Sequence, residues 1–276
     1  MSSEHALPRT YLFVPGTRAD RFAKALASGA DRIVLDLEDA VAPDDKAQAR
    51  DAIVAWFAAA AAADRGRAIV RINDAATRWF DDDLRALRAC GCTRVLLPKA
   101  EEAAQMAAVG AAVPAVQVLA LVETARGVAR VEEVATAPGV ARLVFGTLDF
   151  ALDLAIDIAD DATGLAYAAG RIAIASRVAG LAAPVAGVTP QLEDTQRLLA
   201  DFTRERRQGF GAKLCIHPAQ VAPIHAALQP SAQAIAWARR VLEADAASPG
   251  AARLDGRMVD RPVVAQALRT LALARD

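Results

Sequence analysis

RTYLFVPGTRADRFAKALASGADRIVLDLEDA, residues 9–40, decides the fold. Residues 11–14 form a short aromatic and β-branched run, and Pro15, Gly16 and Thr17 give a turn signal. An Ala-rich amphipathic stretch follows over 18–28, and 32–37 is a second apolar run. That order is one β-α-β unit. Outward from it the alternation continues along the chain, predicting strands over 11–14, 32–37, 68–72, 94–97, 116–122, 142–145, 184–188 and 212–216. Helices are expected over 18–28, 46–63, 77–90, 101–110, 126–136, 164–180, 190–208 and 218–228.

Eight strands, each followed by a helix, with no Pro/Gly/Ser linker between them, predict one (β/α)8 TIM barrel of the α/β class. An open doubly wound sheet is the competing arrangement. The barrel is expected to occupy residues 1–229. A C-terminal helical extension, 230–276, is expected to pack on the barrel or on a neighbouring subunit. It reads as a helix over 231–247, a break at Ser248, Pro249 and Gly250, the segment GRMVDRP at 256–262, and a last helix to about 274.

The 276 residues are 54% hydrophobic, enough for an extensive core and against a disordered chain. Lys and Arg number 32 against 33 Asp and Glu, a net charge of -1, so neither nucleic acid nor an anionic membrane is an expected partner. The N-terminal stretch lacks a basic-led apolar segment of signal-peptide length, and no window has the ~18 apolar residues of a membrane span. A soluble, cytoplasmic chain is the expectation. Cys90, Cys92 and Cys215 fit neither a disulfide framework nor a zinc site and read as reduced core thiols.

Catalytic groups of such barrels lie at the C-terminal ends of the strands. There the sequence places Asp36, Glu38 and Asp39, then Arg71 and Asn73, Lys99 and Glu101, Glu123, Thr124 and Arg126, Thr147 and Asp149, and His217. So much charge at one rim needs a ligand or metal to organise it. Glu123 and Asp149 end apolar runs on adjacent strands and form a candidate pair of hard oxygen ligands for Mg2+. An ion pair with Arg71 or Arg126 is the alternative. With only His5, His217 and His225 available, zinc is a poor fit. Arg71 could hold a carboxylate or enolate oxygen through two parallel N–H donors. Thr17, Arg18, Arg21 and Lys24 offer a turn and three cations to the phosphates of a nucleotide-like cofactor, although neither a GxGxxG nor a GxxxxGK motif is present. His217 reads either as a general base or as a hydrogen-bonded structural residue.

The opening stretch, then RIN at 71–73, LPKA at 97–100, LVETARG at 121–127, FGTLDF at 145–150 and KLCIHPAQ at 213–220, resembles the citrate lyase beta subunit and malyl-CoA lyase family in motif order and spacing. The resemblance runs from about residue 9 to 262. It implies a Mg2+-dependent carbon–carbon lyase acting on a CoA thioester and a 2-oxo acid. By that resemblance Glu123 and Asp149 are the metal ligands, and the backbone amides of Gly146, Thr147, Leu148 and Asp149 lie near the oxo acid carboxylate. Arg71 faces the reacting oxygens, while Thr17, Arg18, Arg21 and Lys24 contact the CoA phosphates. GRMVDRP resembles a C-terminal GxMVDxP segment, which makes Asp260 the acid/base carboxylate, in its own active site or a neighbour's. A homotrimer or a dimer of trimers is likewise implied. A metal-dependent aldolase on free hydroxy-oxo acids, a subunit active only with an acyl carrier protein, and thioester hydrolysis in the same site are the other expectations.

Overall fold

A computed structural model of the chain describes residues 7–248 and 252–274. The expected tail break therefore falls partly outside the described residues, at Pro249 and Gly250, as does His5. The strands are β1 (Thr10–Pro15), β2 (Arg32–Asp36), β3 (Ala68–Arg71), β4 (Arg94–Leu97), β5 (Gln117–Val122), β6 (Val140–Phe145), β7 (Val185–Ala186) and β8 (Ala212–Cys215). They pair in parallel in that order, and β8 returns to β1 through Thr10↔Lys213, Tyr11↔Leu214 and Leu12↔Cys215. That pairing closes the barrel and removes the doubly wound alternative.

The strands are apolar on both faces because both are covered. One face fills the barrel: Tyr11, Val34, Ile69, Leu96, Leu119, Leu121, Val144, Val185, Ala212 and Leu214 form a single buried cluster. The alternate residues, Leu12, Ile33, Val70, Val95, Val118 and Leu143 among them, are equally buried. β7 is shorter than its apolar run. Pro184 has no N–H to give a ladder. Gly187, just beyond it, lies so near the end of β6 that a Cβ would sit 2.9 Å from the Phe145 carbonyl oxygen, and 2.5 Å from Thr147 Oγ1 in the turn that follows.

Local chemistry fixes the helix ends. Phe80–Cys90 opens with Asp81, Asp82 and Asp83 in its first turn and stops at Gly91, whose φ of 69° suits a residue without Cβ. Ala103–Ala112 begins with a capping box between Glu102 and Gln105. Two expected helices are broken: 46–63 divides into Lys46–Ala59 and Ala62–Arg65, and 126–136 into Ala125–Ala129 and Val131–Thr136. A short helix, Thr147–Asp153, was not foreseen from the sequence.

Contacts divide the chain into two compact units, parting between Ala222 and Pro223. The C-terminal unit contains the helices Ala232–Ala247 and Arg261–Leu273 and a hairpin of Arg253–Leu254 with Arg257–Met258. Ala238, Val241, Ala252, Val259 and Ala267 form its core. The hairpin's turn residues Asp255 and Gly256 both have positive φ, 51° and 76°. An Asp-Gly pair is the sequence signal for such a turn. Among the described residues no helix is long and apolar enough to cross a membrane.

Candidate active site

The two-residue period of a strand decides what enters the barrel mouth. Val34 faces the interior, so Asp36 does as well; Ile69 carries the same parity to Arg71, and Leu121 to Glu123. These three side chains, with Phe13, Asp39, Gly146, Thr147, Leu148 and Asp149, line a cavity of about 350 Å³. Leu121, Val188, Leu214 and Ile216 add an apolar wall. The cavity thus gathers Arg71, Glu123 and the run Gly146, Thr147, Leu148 and Asp149 from three separate stretches of chain.

Glu123 is 3% exposed. Its Oε1 accepts the Lys99 amide at 2.9 Å, and Oε2 has no hydrogen-bond partner among the described residues. Burial, then the charges of Glu38 and Asp149, push its carboxyl up to about 8. Gly146 makes this packing possible, because a Cβ there would lie 2.5 Å from Glu123 Oε2 and 2.6 Å from its Cβ. Lys99 reaches Glu123 by adopting φ 44°, a left-handed backbone uncommon for a residue with a side chain. Asp149 is exposed in the first turn of Thr147–Asp153, where the leading amides have no intrahelical acceptor.

A buried carboxylate with one oxygen unpartnered, beside a second carboxylate, fits a hard divalent cation whose remaining ligands are waters and substrate. No group of three or more His, Cys, Asp or Glu residues is set to hold a metal among the described residues, so a closed zinc-type cage is not present there. The alternative ion pairs are not formed: Arg71 pairs with Asp36, Glu38 and Asp39, while Arg126 pairs with Glu101 and Glu102.

Arg71 differs from its sequence reading in one respect. Its two parallel donors are engaged within the chain, Nε to Asp36 Oδ1 at 2.7 Å and Nη2 to Asp36 Oδ2 at 2.6 Å. Nη1 turns to Glu38 Oε2 at 2.7 Å and to the exposed Asp39 at 3.2 Å. Burial opposes the guanidinium charge, but the three carboxylates outweigh it and raise its pKa. Glu38 Oε2 is buried and receives no well-directed hydrogen bond despite its nearness to Arg71. Burial, with Asp39 and Asp36 adding to it against Arg71, pushes the Glu38 carboxyl up to about 8. Lys46, itself buried, holds this loop by donating to the Leu37 and Glu38 carbonyls at 2.6 and 2.7 Å. The partnership of Asp36 and Glu38 with Arg71 was missed in the sequence, although strand parity carries the signal for Asp36.

Thr17, Arg18, Arg21 and Lys24 follow the C-terminal end of β1 and do not line the cavity. Arg18 there pairs with Asp20 at 2.7 Å. His217 is a cap: its Nδ1 accepts the Ala219 amide at 3.2 Å. Asp260, in the C-terminal unit, is exposed and caps Arg261–Leu273 by accepting the Val263 amide at 3.1 Å. Cys92 and Cys215 are free and buried, with thiols pushed up to about 12 by burial.

The model of the HpcH/HpaI aldolase/citrate lyase family matches residues 9–218. A (3S)-malyl-CoA thioesterase of Cereibacter sphaeroides is 35% identical over 270 residues, 96% of this chain and 94% of that protein. A citrate lyase subunit beta-like protein of Mycobacterium tuberculosis is 37% identical over 271 residues, 96% and 95% of the two. Among solved structures, protein CitE from Mycobacterium tuberculosis in complex with magnesium, acetoacetate and coenzyme A superposes with a TM-score of 0.87 at 36% identity, covering 98% of each chain.

Proposed function

The chain belongs to the HpcH/HpaI aldolase/citrate lyase family, an enzyme of the CoA-ester lyase type, and on that premise we propose that it cleaves or forms a malyl-CoA-like or citryl-CoA-like thioester with Mg2+, releasing acetyl-CoA or a homologue and a 2-oxo acid. The observation that carries this reading is one cavity lined by Glu123, Asp149 and Arg71 with the Cβ-free Gly146 packed against Glu123. Magnesium and coenzyme A bound to the Mycobacterium tuberculosis protein support it.

Glu123 and Asp149 would hold the metal, which when bound polarises the incipient carbonyl as a Lewis acid. The leading amides at Thr147, Leu148 and Asp149 would orient the oxo acid carboxylate. Arg71, fixed by Asp36, keeps guanidinium charge at the mouth, where it would stabilise enolate charge on the thioester oxygen; a well-placed donor of this kind is worth about 3 kcal/mol. Thr17, Arg18, Arg21 and Lys24 are the proposed contacts of the CoA phosphates. Asp260 is the proposed acid/base carboxylate for the acetyl methyl carbon, from its own or a neighbouring subunit of a trimer or hexamer. A cytoplasmic setting accords with the substrate class.

The test is to measure Mg2+ affinity and CoA-thioester cleavage in Glu123→Gln and Asp149→Asn. Loss of both properties is expected; full retention in both variants ends the assignment. The thioesterase relatives favour one second reading, hydrolysis of the thioester in the same site. Product analysis separates them, since hydrolysis gives a free hydroxy acid and CoA, whereas lysis gives an oxo acid and an acyl-CoA.

A further inference from the structure

A second cavity, of about 370 Å³, adjoins the first: Thr147, Leu148 and Val188 line both. Its size is that of a small-molecule site. Arg197 and Arg204 line it, seven residues apart and so on one side of the helix Thr195–Arg207. Each spends a single N–H on the same carboxylate oxygen, Asp201 Oδ1, Arg197 through Nε and Arg204 through Nη2, both at 3.0 Å. The other side-chain N–H groups of the two arginines donate to no described residue. Asp201 is itself held from behind, its Oδ2 accepting Thr189 Oγ1 at 3.0 Å, and the Thr189 carbonyl accepts Gln220 at 2.9 Å. The result is two guanidinium groups converging on one buried anchor, with their free edges at a cavity wall.

The remaining lining limits what can enter. Glu205 is engaged with Lys213 at 2.7 Å. Asp157 also lines the cavity, one of its oxygens taken by the Ala159 amide at 2.8 Å. Two guanidiniums against Asp201 leave one positive charge, and Asp157 opposes that one from the same lining, so the site holds no surplus charge for a polyanion and a carboxylate would be held by the free guanidinium edges themselves. Leu152, Ile156, Ile158 and Leu165 supply an apolar wall. We propose that this cavity binds a short aliphatic monocarboxylate, its carboxylate on the Arg197 and Arg204 edges and its hydrocarbon tail on that wall.

The binding needs neither turnover nor metal, so it stands or falls separately from the lyase reading. The experiment is an NMR titration of the metal-free 276-residue chain with sodium butyrate, with n-butanol and inorganic phosphate as separate probes. Arg197→Gln and Arg204→Gln are made singly, because each leaves one guanidinium on Asp201 and thus preserves the buried pair. Saturable butyrate binding is expected in the parent chain and in Glu123→Gln, weakened about tenfold or more in each arginine variant. Butanol is expected not to bind. Absence of binding to the parent, unchanged binding in both arginine variants, or its loss in Glu123→Gln would each overturn the proposal. Phosphate binding as tight as butyrate would overturn the aliphatic assignment.

Discussion

Asp36 and Arg71 are register partners on neighbouring strands and meet through two parallel bonds of 2.7 and 2.6 Å inside the barrel mouth. Asp36 also accepts the Glu38 amide at 2.9 Å and the Ala40 amide at 3.2 Å, so one carboxylate fixes both the guanidinium and the loop beside it. Removing it leaves a buried cation without its main partner. Asp36→Ala is expected to destabilise the chain by about 3–5 kcal/mol, read as a lowered urea midpoint at unchanged slope. A change below about 1 kcal/mol would show that Glu38 and Asp39 suffice for Arg71.

Gly146 has φ -85°, a value any residue adopts, so a substitution there acts by volume alone. The added Cβ of Gly146→Ala would lie 2.5 Å from Glu123 Oε2 and must displace that carboxylate. Mg2+ affinity is expected to fall about tenfold or more, with the far-ultraviolet circular dichroism unchanged. Isothermal titration with Mg2+ checks this, and parent-like affinity would refute it.

Stability should depend on pH through Glu123 and Glu38. Burial above all pushes both carboxyls up to about 8 in the folded chain against the ordinary 4.5, and the Glu38 charge adds to the rise at Glu123. Between those values the folded state binds more protons than the unfolded state. The metal-free chain is therefore expected to lose stability as pH rises from about 4.5 to about 8, the contribution being complete below that range. Mg2+ competes with the proton on Glu123, so the rise in melting temperature it causes should be larger at about pH 8 than at about pH 5.5. Melting curves with Mg2+ or with a chelator measure both effects; a Mg2+ effect independent of pH would contradict them.

Lys99 holds Glu123 through its backbone and not through its side chain, which pairs loosely with Asp74 at 3.7 Å. Glycine relieves the left-handed strain and keeps the amide. Lys99→Gly is expected to melt at or above the parent temperature, whereas Lys99→Val, β-branched, loses about 1–3 kcal/mol. Equal melting of the two variants would show that the strain is absent.

The sequence by itself determined the barrel and most of its rim. Eight apolar runs alternating with Ala-rich amphipathic segments have few ways to bury both strand faces, and strand parity sends Asp36, Arg71 and Glu123 inward beyond Val34, Ile69 and Leu121. Motif order carried the family for the same reason, since ligands must leave successive strands at one end. Local breaks were harder to read: the hairpin at Asp255 and Gly256 and the helix Thr147–Asp153 follow from a few backbone angles rather than from long periodicity. Only the tertiary structure decided which charge meets which. That Arg71 spends its fork on Asp36, that Gly146 leaves room for Glu123, and that Arg197 and Arg204 share one oxygen of Asp201 depend on packing between segments distant in the chain. Charge type and spacing fix the rim a side chain reaches, but its partner is fixed by distances of a few tenths of an ångström, which no periodic pattern encodes.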